Sequence, residues 1–447
     1  MRVLLIQPPL SDEMISLGIL EPLGLEVLAG ALDGHEVEIL DMRVDDGLEE
    51  KLQAFDPDVV GITAVSVEAS NARKVAGGVK AFDSGIDVIV GGHHATMIPE
   101  DFRMPPVDVV VMGAGYHTFG EVLDALAEGG DLTQVSNLLV ADGGQWIRTE
   151  REPITDVENM PIPDREATRP YRRDYRLLGS PLPVALLVTS LGCPYRCDFC
   201  GCWKMHEGHY HERTIKDIVE DLKRIEEKQV FFGDDNTLCR PKRARKLCRA
   251  ISENGIDKLY TGYARADTIA QNPDLIREWK QVGLSGLVVG YEGICDRQLD
   301  EFNKKSELKT NEEAFRILDE NGIMNLAHFV VTQDFQKEDF EALYRYVEKW
   351  DLTLPFFTVL TPLPGTELWK RKKHQIRDDT YNRFDLAHNV LPAQMGEEKF
   401  ARHYAQLYRR AYSTWRTLKL ALRRREPSVA LLKLVFMRET MRQAGSA

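Results

Sequence analysis

The stretch TSLGCPYRCDFCGCW at residues 189–203 holds four of the seven cysteines in this 447-residue chain. The four are Cys193, Cys197, Cys200 and Cys202. An odd, low number of cysteines in a long chain is a poor basis for a disulfide framework. Clustered thiolates favour ligation of a soft metal centre instead. A zinc knuckle is the main alternative, although zinc sites usually combine two separated cysteine pairs or include histidine, and only one CxxxCxxC run occurs here.

A short apolar strand, VALLVTS at 184–190, leads directly into these cysteines. In the helical segment after them, Ile218, Leu222 and Ile225 fall on one face. Further strand candidates alternate with helical segments, and these are QVFFGDD, KLYTGYARAD, SGLVVGYEG, NLAHFVV and PFFTVLTPL. Six strand–helix units predict a partial (β/α)6 barrel, whose chemistry lies at the carboxyl ends of its strands. The cysteines follow the first strand at that end.

The beginning of the chain shows a second alternating series. Its strand candidates are RVLLIQ, EVEIL, DVVGITAV, DVIVGG and DVVVMGAG. Continuous apolar strands separated by helices predict a doubly wound, flavodoxin-like parallel sheet. Ligands of such folds bind at the carboxyl edge of the sheet, where glycine-rich turns occur at Gly91-Gly92 and at Gly113 and Gly115. No GxGxxG follows the first strand, so the sequence does not favour a dinucleotide.

Proline placement separates the predicted α/β domains. Six prolines interrupt residues 145–183, which we interpret as a linker. The linker joins an N-terminal domain at 1–144 to the barrel at 184–379. The rest of the chain, 380–447, is predicted to be a helical region that ends in a basic amphipathic tail.

Composition and charge limit the classes of function. The chain has 57 Lys and Arg against 70 Asp and Glu, a net charge of −13, which argues against a nucleic-acid binder. Apolar residues make up 43% of the chain, enough for full cores. The N-terminal apolar run is too short for a signal peptide, and no stretch approaches the length of a membrane span. We therefore expect a cytoplasmic protein.

The C-terminal tail differs in charge from the body. Residues 401–447 carry 11 Lys and Arg but only two acidic residues, and PSVALLKLVFMRETM combines apolar and basic positions. Such a helix can rest on an anionic bilayer, which would make the protein membrane-associated through this tail. A helix that docks on the barrel is the alternative.

The spacing Cys193-x3-Cys197-x2-Cys200, with Phe199 before the last cysteine and a strand just upstream, resembles the radical S-adenosylmethionine (SAM) superfamily. In that family three thiolates hold a [4Fe-4S] cluster, and the fourth iron stays open for the amino and carboxylate groups of SAM. The open iron explains why only three cysteines are needed. One electron from the cluster then cleaves SAM to a 5′-deoxyadenosyl radical, so the resemblance implies an external electron donor. Cys202 has no role in this motif.

Several strand ends match positions that this family uses to contact SAM. The sequence FFGDD ends the second barrel strand, and paired carboxylates there would favour the ammonium group of SAM. A helix cap is the alternative for Asp235, and structural ion pairs are the alternatives for Arg265 and Glu292. The residues that the resemblance assigns to SAM are Phe199, Phe232, Gly233, Asp234, Asp235, Arg265 and Glu292.

A doubly wound domain before such a barrel resembles the cobalamin-binding class of radical SAM enzymes, which includes hopanoid C-3 methylase, porphyrin cyclases and other C-methyltransferases. EPLGLEVLAGAL, VIVGGHHAT and the PGT turn look similar to the hopanoid methylase branch. Glycines at the sheet edge would let the corrin ring approach the backbone. The cobalamin contacts that the resemblance implies are Thr63, Ser66, Gly91, Gly92, His93, Gly113 and Gly115.

Two departures concern the cobalamin site. The DxHxxG motif that supplies a histidine to cobalt in other cobalamin proteins is absent, which implies base-off binding. The sequence MGAGYHTF places Ala114 and Tyr116 where the class usually has two carboxylates. Tyr116 and His117, like His93 and His94, are candidates to approach cobalt, with packing or surface roles as the alternatives.

Taken with the resemblance, the sequence predicts a class B-type methyltransferase. It would act through a 5′-deoxyadenosyl radical on an unactivated sp3 carbon of an apolar, polycyclic or isoprenoid-derived substrate, small or lipid-like. The cofactors would be a [4Fe-4S] cluster, SAM and cobalamin. A non-methylating oxidative cyclase or rearrangement enzyme is the first alternative, and a zinc- or corrinoid-binding module without catalysis is the second.

Overall fold

The computed structural model describes residues 1–16, 18–153, 157–177, 180–378 and 380–418. Most of the predicted tail, from residue 419 onward, lies outside the described residues. The strands are β1 (Arg2–Gln7), β2 (Gly18–Ile19), β3 (Glu36–Asp41), β4 (Val59–Thr63), β5 (Asp87–Gly91), β6 (Val109–Val111), β7 (Leu138–Asp142), β8 (Gln145–Arg148), β9 (Arg176–Leu177), β10 (Val184–Leu187), β11 (Ser190–Leu191), β12 (His211–Glu212), β13 (Gln229–Phe232), β14 (Leu259–Arg265), β15 (Leu284–Glu292), β16 (Met324–Val331) and β17 (Leu354–Val359).

The helices connect these strands in an α/β arrangement. In chain order they are α1 (Leu23–Ala29), α2 (Leu48–Phe55), α3 (Ala69–Phe82), α4 (His93–Met97), α5 (Gly115–Glu128), α6 (Cys202–Met205), α7 (Ile215–Arg224), α8 (Pro241–Glu253), α9 (Ala266–Gln271), α10 (Pro273–Gln281), α11 (Asp296–Glu301), α12 (Leu308–Glu320), α13 (Lys337–Lys349), α14 (Glu367–Lys372) and α15 (Glu397–Ala411).

The N-terminal sheet has the order β3-β1-β4-β5-β6-β7-β8. Its first five members in this order pair in parallel, and the last two form an antiparallel hairpin. Helices α1 and α5 cover one face and α2 and α3 the other, with an apolar core under each. This confirms the predicted doubly wound sheet. Strand β8 falls within the segment interpreted as a linker, because its alternating pattern is short and follows a glycine turn.

The second sheet runs in sequence order, β10-β13-β14-β15-β16-β17, with every neighbouring pair parallel. It is the predicted partial barrel of six strands. A short antiparallel pair, β11 with β12, closes the loop that carries the cysteines. Helices α7 to α10, α12, α13 and α15 pack on the outer face over a continuous apolar core.

The linker joins the two halves through buried charge. Arg165 is 5% exposed and donates to Glu21 Oε1 at 2.5 Å and to Asp221 Oδ1 at 3.0 Å. Its Nη1 also lies 3.6 Å from Glu26 Oε2. Glu21 and Glu26 belong to the N-terminal half and Asp221 to α7, where Arg213 pairs with it at 3.1 Å. One linker residue thus holds carboxylates from both halves.

The segment after residue 380 differs from the predicted helical region. Residues 380–396 contain no helix, and Tyr381, Phe384, Val390 and Leu391 pack into the core of the N-terminal sheet. These apolar residues lack helical spacing because they cover another domain's surface from an irregular segment of turns and bends. Helix α15 follows and packs on α13. No helix in the described ranges combines the length and apolar character needed to cross a bilayer.

Candidate functional site

The cysteine loop, residues 189–203, is held at its start by Asp234. The Asp234 carboxylate accepts hydrogen bonds from Thr189 N and Thr189 Oγ1, both at 2.5 Å, and from Ser190 N at 3.2 Å. Asp234 is fully buried, and burial raises its pKa while these donors lower it. The Asp234 carboxylate is thus enclosed by the loop that it supports, and its predicted contact with the ammonium group of SAM stays a prediction.

Asp235 and Gly192 continue this support. Gly192 N donates to Asp235 Oδ2 at 2.9 Å, and Gly192 has a φ of +83°. A Cβ at this position would lie 2.2 Å from His209 O. Only glycine therefore allows the loop to pass between Asp235 and the turn before β12.

The three motif cysteines differ in burial. Cys197 is buried, whereas Cys193 and Cys200 are half-buried. Cys197 O accepts hydrogen bonds from Trp203 Nε1 at 3.0 Å and from Cys200 N at 3.2 Å, which fold the loop back on itself. The loop therefore has internal structure that does not depend on disulfides.

Two cations face Cys197. Arg265 Nη1 lies 4.0 Å from Cys197 Sγ, and Lys304 is close enough to lower the pKa of the Cys197 thiol together with Arg265. Burial is the larger effect and raises that pKa overall. Positive charge at this point favours the thiolate form needed for metal ligation. Lys304 was not predicted, because no pattern in its local sequence distinguishes it from an exposed lysine.

Arg265 and Glu292, predicted to contact SAM, both form buried ion pairs. Arg265 donates from Nη2 to Asp267 Oδ2 at 2.8 Å and to Lys304 O at 2.7 Å, and its guanidinium covers the ring of Tyr195 at 3.6 Å. Glu292 Oε1 accepts from Lys304 Nζ at 2.7 Å. Both residues therefore form the structural ion pairs that were the alternative to SAM contacts. Arg265 also reaches the cysteine loop at Cys197.

Phe232 lies on the wrong side of the sheet for its predicted contact with SAM. It is 1% exposed and stacks on Tyr260 with ring centroids 5.2 Å apart, in the core under the outer helices. Successive strand residues face opposite sides, so Phe231 faces inward instead. Gly233 leaves the strand with its N–H donating to Leu187 O, and Phe199 packs edge-on against Phe302.

Cys202, which the motif left without a role, sits next to Cys200. A hydrogen bond from the Cys202 thiol lowers the pKa of Cys200, and the same contact together with burial raises the pKa of Cys202. Its position two residues after the motif was the only signal in the sequence.

The carboxyl edge of the N-terminal sheet brings several predicted cobalamin contacts together. Gly92 follows β5 with a φ of +93°, and a Cβ there would lie 2.6 Å from Thr63 Oγ1 at the end of β4. Gly113 follows β6 and donates its N–H to Thr96 Oγ1 at 2.9 Å. Gly115 begins α5. The glycine turns after β5 and β6 thus let the ends of neighbouring strands pack closely at this edge.

Histidines at this edge take different positions. His94 is fully buried, and its ring nitrogens lie 3.1 Å from Ser66 Oγ and 3.1 Å from Asp101 Oδ2, so it is part of the fold. His93 is exposed, yet burial lowers its pKa, and Asp235 on the barrel is near enough to oppose that effect.

Tyr263 shows the same combination on the barrel. It is 42% exposed although burial raises its pKa, and Asp235 is one of its charged neighbours. Helix α4 packs on α6, and Gly113 lines a pocket together with Met205 and His206, so the edge of the N-terminal sheet and the mouth of the barrel face one space. We call this space the interdomain hollow.

The two residues of the unusual MGAGYHTF turn lie beside the hollow. Tyr116 is 9% exposed and packs with Leu23, Val27 and Met160, so the packing alternative applies to it. His117 is exposed, with its ring 4.8 Å from that of Tyr116.

Comparison with known proteins identifies the class. Residues 16–123 match the B12 binding domain and residues 187–347 match the radical SAM superfamily. The chain belongs to the cobalamin-dependent radical SAM methyltransferase family, and its cofactors are a [4Fe-4S] cluster, SAM and cobalamin. This excludes the non-catalytic module proposed as an alternative.

Among individual proteins, the chain is 30% identical over 396 residues to the hopanoid C-3 methylase of Methylococcus capsulatus, covering 85% of this chain and 74% of that protein. It is 28% identical over 407 residues to the anaerobic magnesium-protoporphyrin IX monomethyl ester cyclase of Cereibacter sphaeroides, covering 86% and 64%. The solved structure of the methyltransferase TsrM from Kitasatospora setae, with cobalamin and [4Fe-4S] cluster bound, covers 84% of this chain and 78% of its own with a TM-score of 0.68. At 19% identity this likeness concerns the fold alone.

The residues of the cysteine loop and of the N-terminal sheet edge fit these cofactors. No three His, Cys, Asp or Glu side chains in the described part of the chain converge on a single metal ion. Three thiolates that each bind a different iron of a cluster need not converge in that way. The cations beside Cys197 match the negative charge of thiolates. At the sheet edge, no protein atom lies closer than 3.7 Å to the Cβ position of Gly91 or Gly115, which leaves room for a wide flat ring to approach the backbone.

Proposed function

We propose that this protein is a C-methyltransferase that acts on an unactivated sp3 carbon of an apolar, polycyclic or isoprenoid-derived substrate. The observation that carries the proposal is the interdomain hollow, which opens between the cobalamin edge and the cysteine loop. A substrate held there would lie between both cofactors. Such positioning selects the carbon that loses hydrogen.

Apolar side chains on the inner face of the barrel support an apolar substrate. Phe231, Val288 and Leu326 form one apolar cluster on that face. The ring of Tyr263 lies 5.3 Å from that of Phe231. The ring of His328 lies 5.1 Å from that of Phe356, its neighbour on the next strand. Removing an apolar molecule from water into this surface is favourable by about 25 cal/mol per Å².

The bound cofactors supply the radical and the methyl group, whereas the protein binds, orients and shields. Cys193, Cys197 and Cys200 would hold the cluster, and Asp234 keeps their loop in place. Arg265 and Lys304 supply compensating positive charge beside Cys197. Closure of the hollow by both halves excludes water from reactive intermediates. No acid–base residue is required for this chemistry.

Mass spectrometry of the product tests the reaction. We expect anaerobically reconstituted enzyme, given SAM, cobalamin, a reductant and a polycyclic triterpenoid such as a hopanoid, to add the mass of one CH2. Two SAM molecules should be consumed per product, one yielding 5′-deoxyadenosine. The Cys197→Ala variant is the matched control and should form neither product. Formation of 5′-deoxyadenosine with a substrate that gains no carbon would contradict methyl transfer.

A second candidate, an oxidative cyclase or rearrangement enzyme, is favoured by the similarity to a porphyrin ester cyclase over 86% of this chain. The same assay distinguishes it, because cyclisation changes hydrogen or oxygen content without adding carbon. Methyl-labelled SAM would then leave no label in the product.

We also propose that the C-terminal tail rests on an anionic membrane surface. At its start Trp415 is 77% exposed and Leu418 is 50% exposed, which is unusual for large apolar side chains. Cosedimentation with phosphatidylglycerol vesicles should fall when residues 415–447 are deleted, and unchanged partitioning would contradict the proposal.

A further inference from the structure

Helix α8 carries a charged surface that the cofactor site and the hollow do not use. Residues 240–249 contain six basic residues and no acidic one, in a chain of net charge −13. Lys242, Lys246 and Arg249 are spaced at i, i+4 and i+7, so they lie on one face of the helix, and all three are exposed. We call these three residues the basic stripe.

The other cations of this segment are paired, whereas the stripe is not. Arg240 and Arg243 lie 3.4 and 3.5 Å from the carboxylate of Glu212, and Arg245 lies 3.0 Å from Glu278. In the part of the chain that the structure describes, no carboxylate forms an ion pair with any residue of the stripe. Its charge is therefore available to a partner.

The stripe does not stabilise its own helix. Like charges four residues apart repel, and Lys242 in the first turn opposes the positive end of the helix dipole. The single acidic residue of α8 is Glu253, at the opposite end. Repulsion among these cations costs stability, and no acidic residue of α8 near the stripe offsets it. An external anionic partner would offset this cost.

The N-terminus of α8 contacts the cysteine loop. Arg243 donates from Nη2 to Thr189 O at 2.7 Å, and Thr189 is the residue that Asp234 holds. Arg243 and Lys246 also line a cavity of about 300 Å³ at this junction, together with Glu158 and Glu212. A protein bound to the stripe would thus lie beside the loop that holds the cluster.

We propose that the basic stripe docks a small acidic electron-carrier protein that reduces the cluster. Each SAM cleavage consumes one electron, and opposite charge on two proteins speeds and orients their encounter. A neutral flavin hydroquinone would give one electron to the cluster and one proton to solvent and become a semiquinone, and the cluster would be reduced from the 2+ to the 1+ state. The inference rests on the cluster and is independent of the proposed methyl transfer.

A charge-matched pair of variants tests this surface. Lys242→Gln/Lys246→Gln removes two charges from the stripe, and Lys337→Gln/Lys399→Gln removes two from exposed lysines on α13 and α15, at the other end of the barrel sheet. Reconstituted proteins are mixed anaerobically with flavodoxin hydroquinone in a stopped-flow instrument, and semiquinone formation is followed at low salt. Dithionite reduction of the same samples is the reference.

We expect the stripe variant to accept electrons from flavodoxin at least about fivefold more slowly than wild type, and salt to shrink the difference. The control variant should match wild type, and all three should react equally with dithionite. Equal flavodoxin rates would overturn the proposal, as would a stripe variant that is also slow with dithionite. Loss of binding to phosphatidylglycerol vesicles with an unchanged flavodoxin rate would assign the stripe to membranes instead. Because product formation is not measured, failure of the proposed methylation leaves this result unaffected.

Discussion

At the scale of single residues, Gly92 and its neighbour Gly91 have contrasting surroundings at the cobalamin edge. A Cβ at Gly92 would lie 2.6 Å from Thr63 Oγ1 and 2.9 Å from Ala64 N, and the backbone there has a positive φ. A Cβ at Gly91 would meet Val111 O at 3.8 Å, an ordinary contact. The same added methyl group is therefore tolerated at one position and not at the next.

We expect Gly92→Ala to destabilise the protein by about 2 kcal/mol or more, since it combines strain with overlap of backbone atoms. Gly91→Ala should change stability by less than about 1 kcal/mol. Urea unfolding followed by circular dichroism measures both, and hydroxocobalamin binding is read from its absorption spectrum. Equal stability of the two variants would contradict this account of the edge.

The buried network around Arg165 contains one more carboxylate than it has cations, and Glu26 is the carboxylate that is left protonated. Three carboxylates, from Glu21, Glu26 and Asp221, share the two cations Arg165 and Arg213. Burial and the charge of Glu21 raise the pKa of Glu26 to about 8. Its Oε2 is buried without a hydrogen-bond partner. Of the three carboxylates, that of Glu26 lies farthest from the Arg165 guanidinium, at 3.6 Å.

The raised pKa predicts a pH dependence of stability. Between the unfolded pKa of 4.5 and the folded pKa of about 8, only the folded state holds the proton, so stability declines as pH rises through this window. Glu26→Gln removes the proton and keeps the size of the side chain. We therefore expect wild type to lose about 1 kcal/mol per pH unit relative to the variant between about pH 5.5 and pH 7.5. Urea titrations at several pH values measure the difference, and exposed Glu166→Gln should show none.

At the scale of elements, the turn between β10 and the cysteine loop depends on one carboxylate. Asp234→Asn replaces an acceptor with an amide that cannot receive both Thr189 donors. We expect a loss of stability of about 2–4 kcal/mol, because buried donors lose their partner. Iron content after reconstitution should fall more than in Asp235→Asn, which gives up one hydrogen bond to Gly192. Equal iron content in both variants would show that Asp234 does not position the loop.

At the scale of the whole molecule, Arg165 joins the two halves. Arg165→Leu leaves Glu21, Glu26 and Asp221 buried without their shared cation. We expect a cost of about 3–5 kcal/mol and faster proteolysis between the halves, since a buried ion network loses its central charge. Arg169→Leu, which removes an exposed pair with Glu166, is the control and should change stability by less than about 0.5 kcal/mol. An equally small effect of Arg165→Leu would contradict the bridging role.

Both parallel sheets could be predicted from the sequence, because continuous apolar strands and helical periodicity are local signals. Strand β1 matches its predicted segment at residues 2–7, and the cysteine spacing identified the family before any geometry was known. The hairpin strands β7 and β8 and the irregular segment at 380–396 were missed. The hairpin strands are too short for their alternating pattern to stand out, whereas the segment at 380–396 takes its conformation from contacts with the N-terminal sheet, which is distant in the sequence.

Within the site, the sequence indicated the chemistry through three cysteines at the spacing of the radical SAM family, whose resemblance implies an open iron, and through glycines at the edge of a parallel sheet. The tertiary structure decided which neighbouring polar and aromatic groups face that chemistry. It turned Phe232 outward and Phe231 inward, enclosed Asp234 under the loop and brought Lys304 beside Cys197. Spacing along a chain is enough for ligands on one short loop, whereas the direction of a side chain depends on strand register and on packing between residues far apart in sequence.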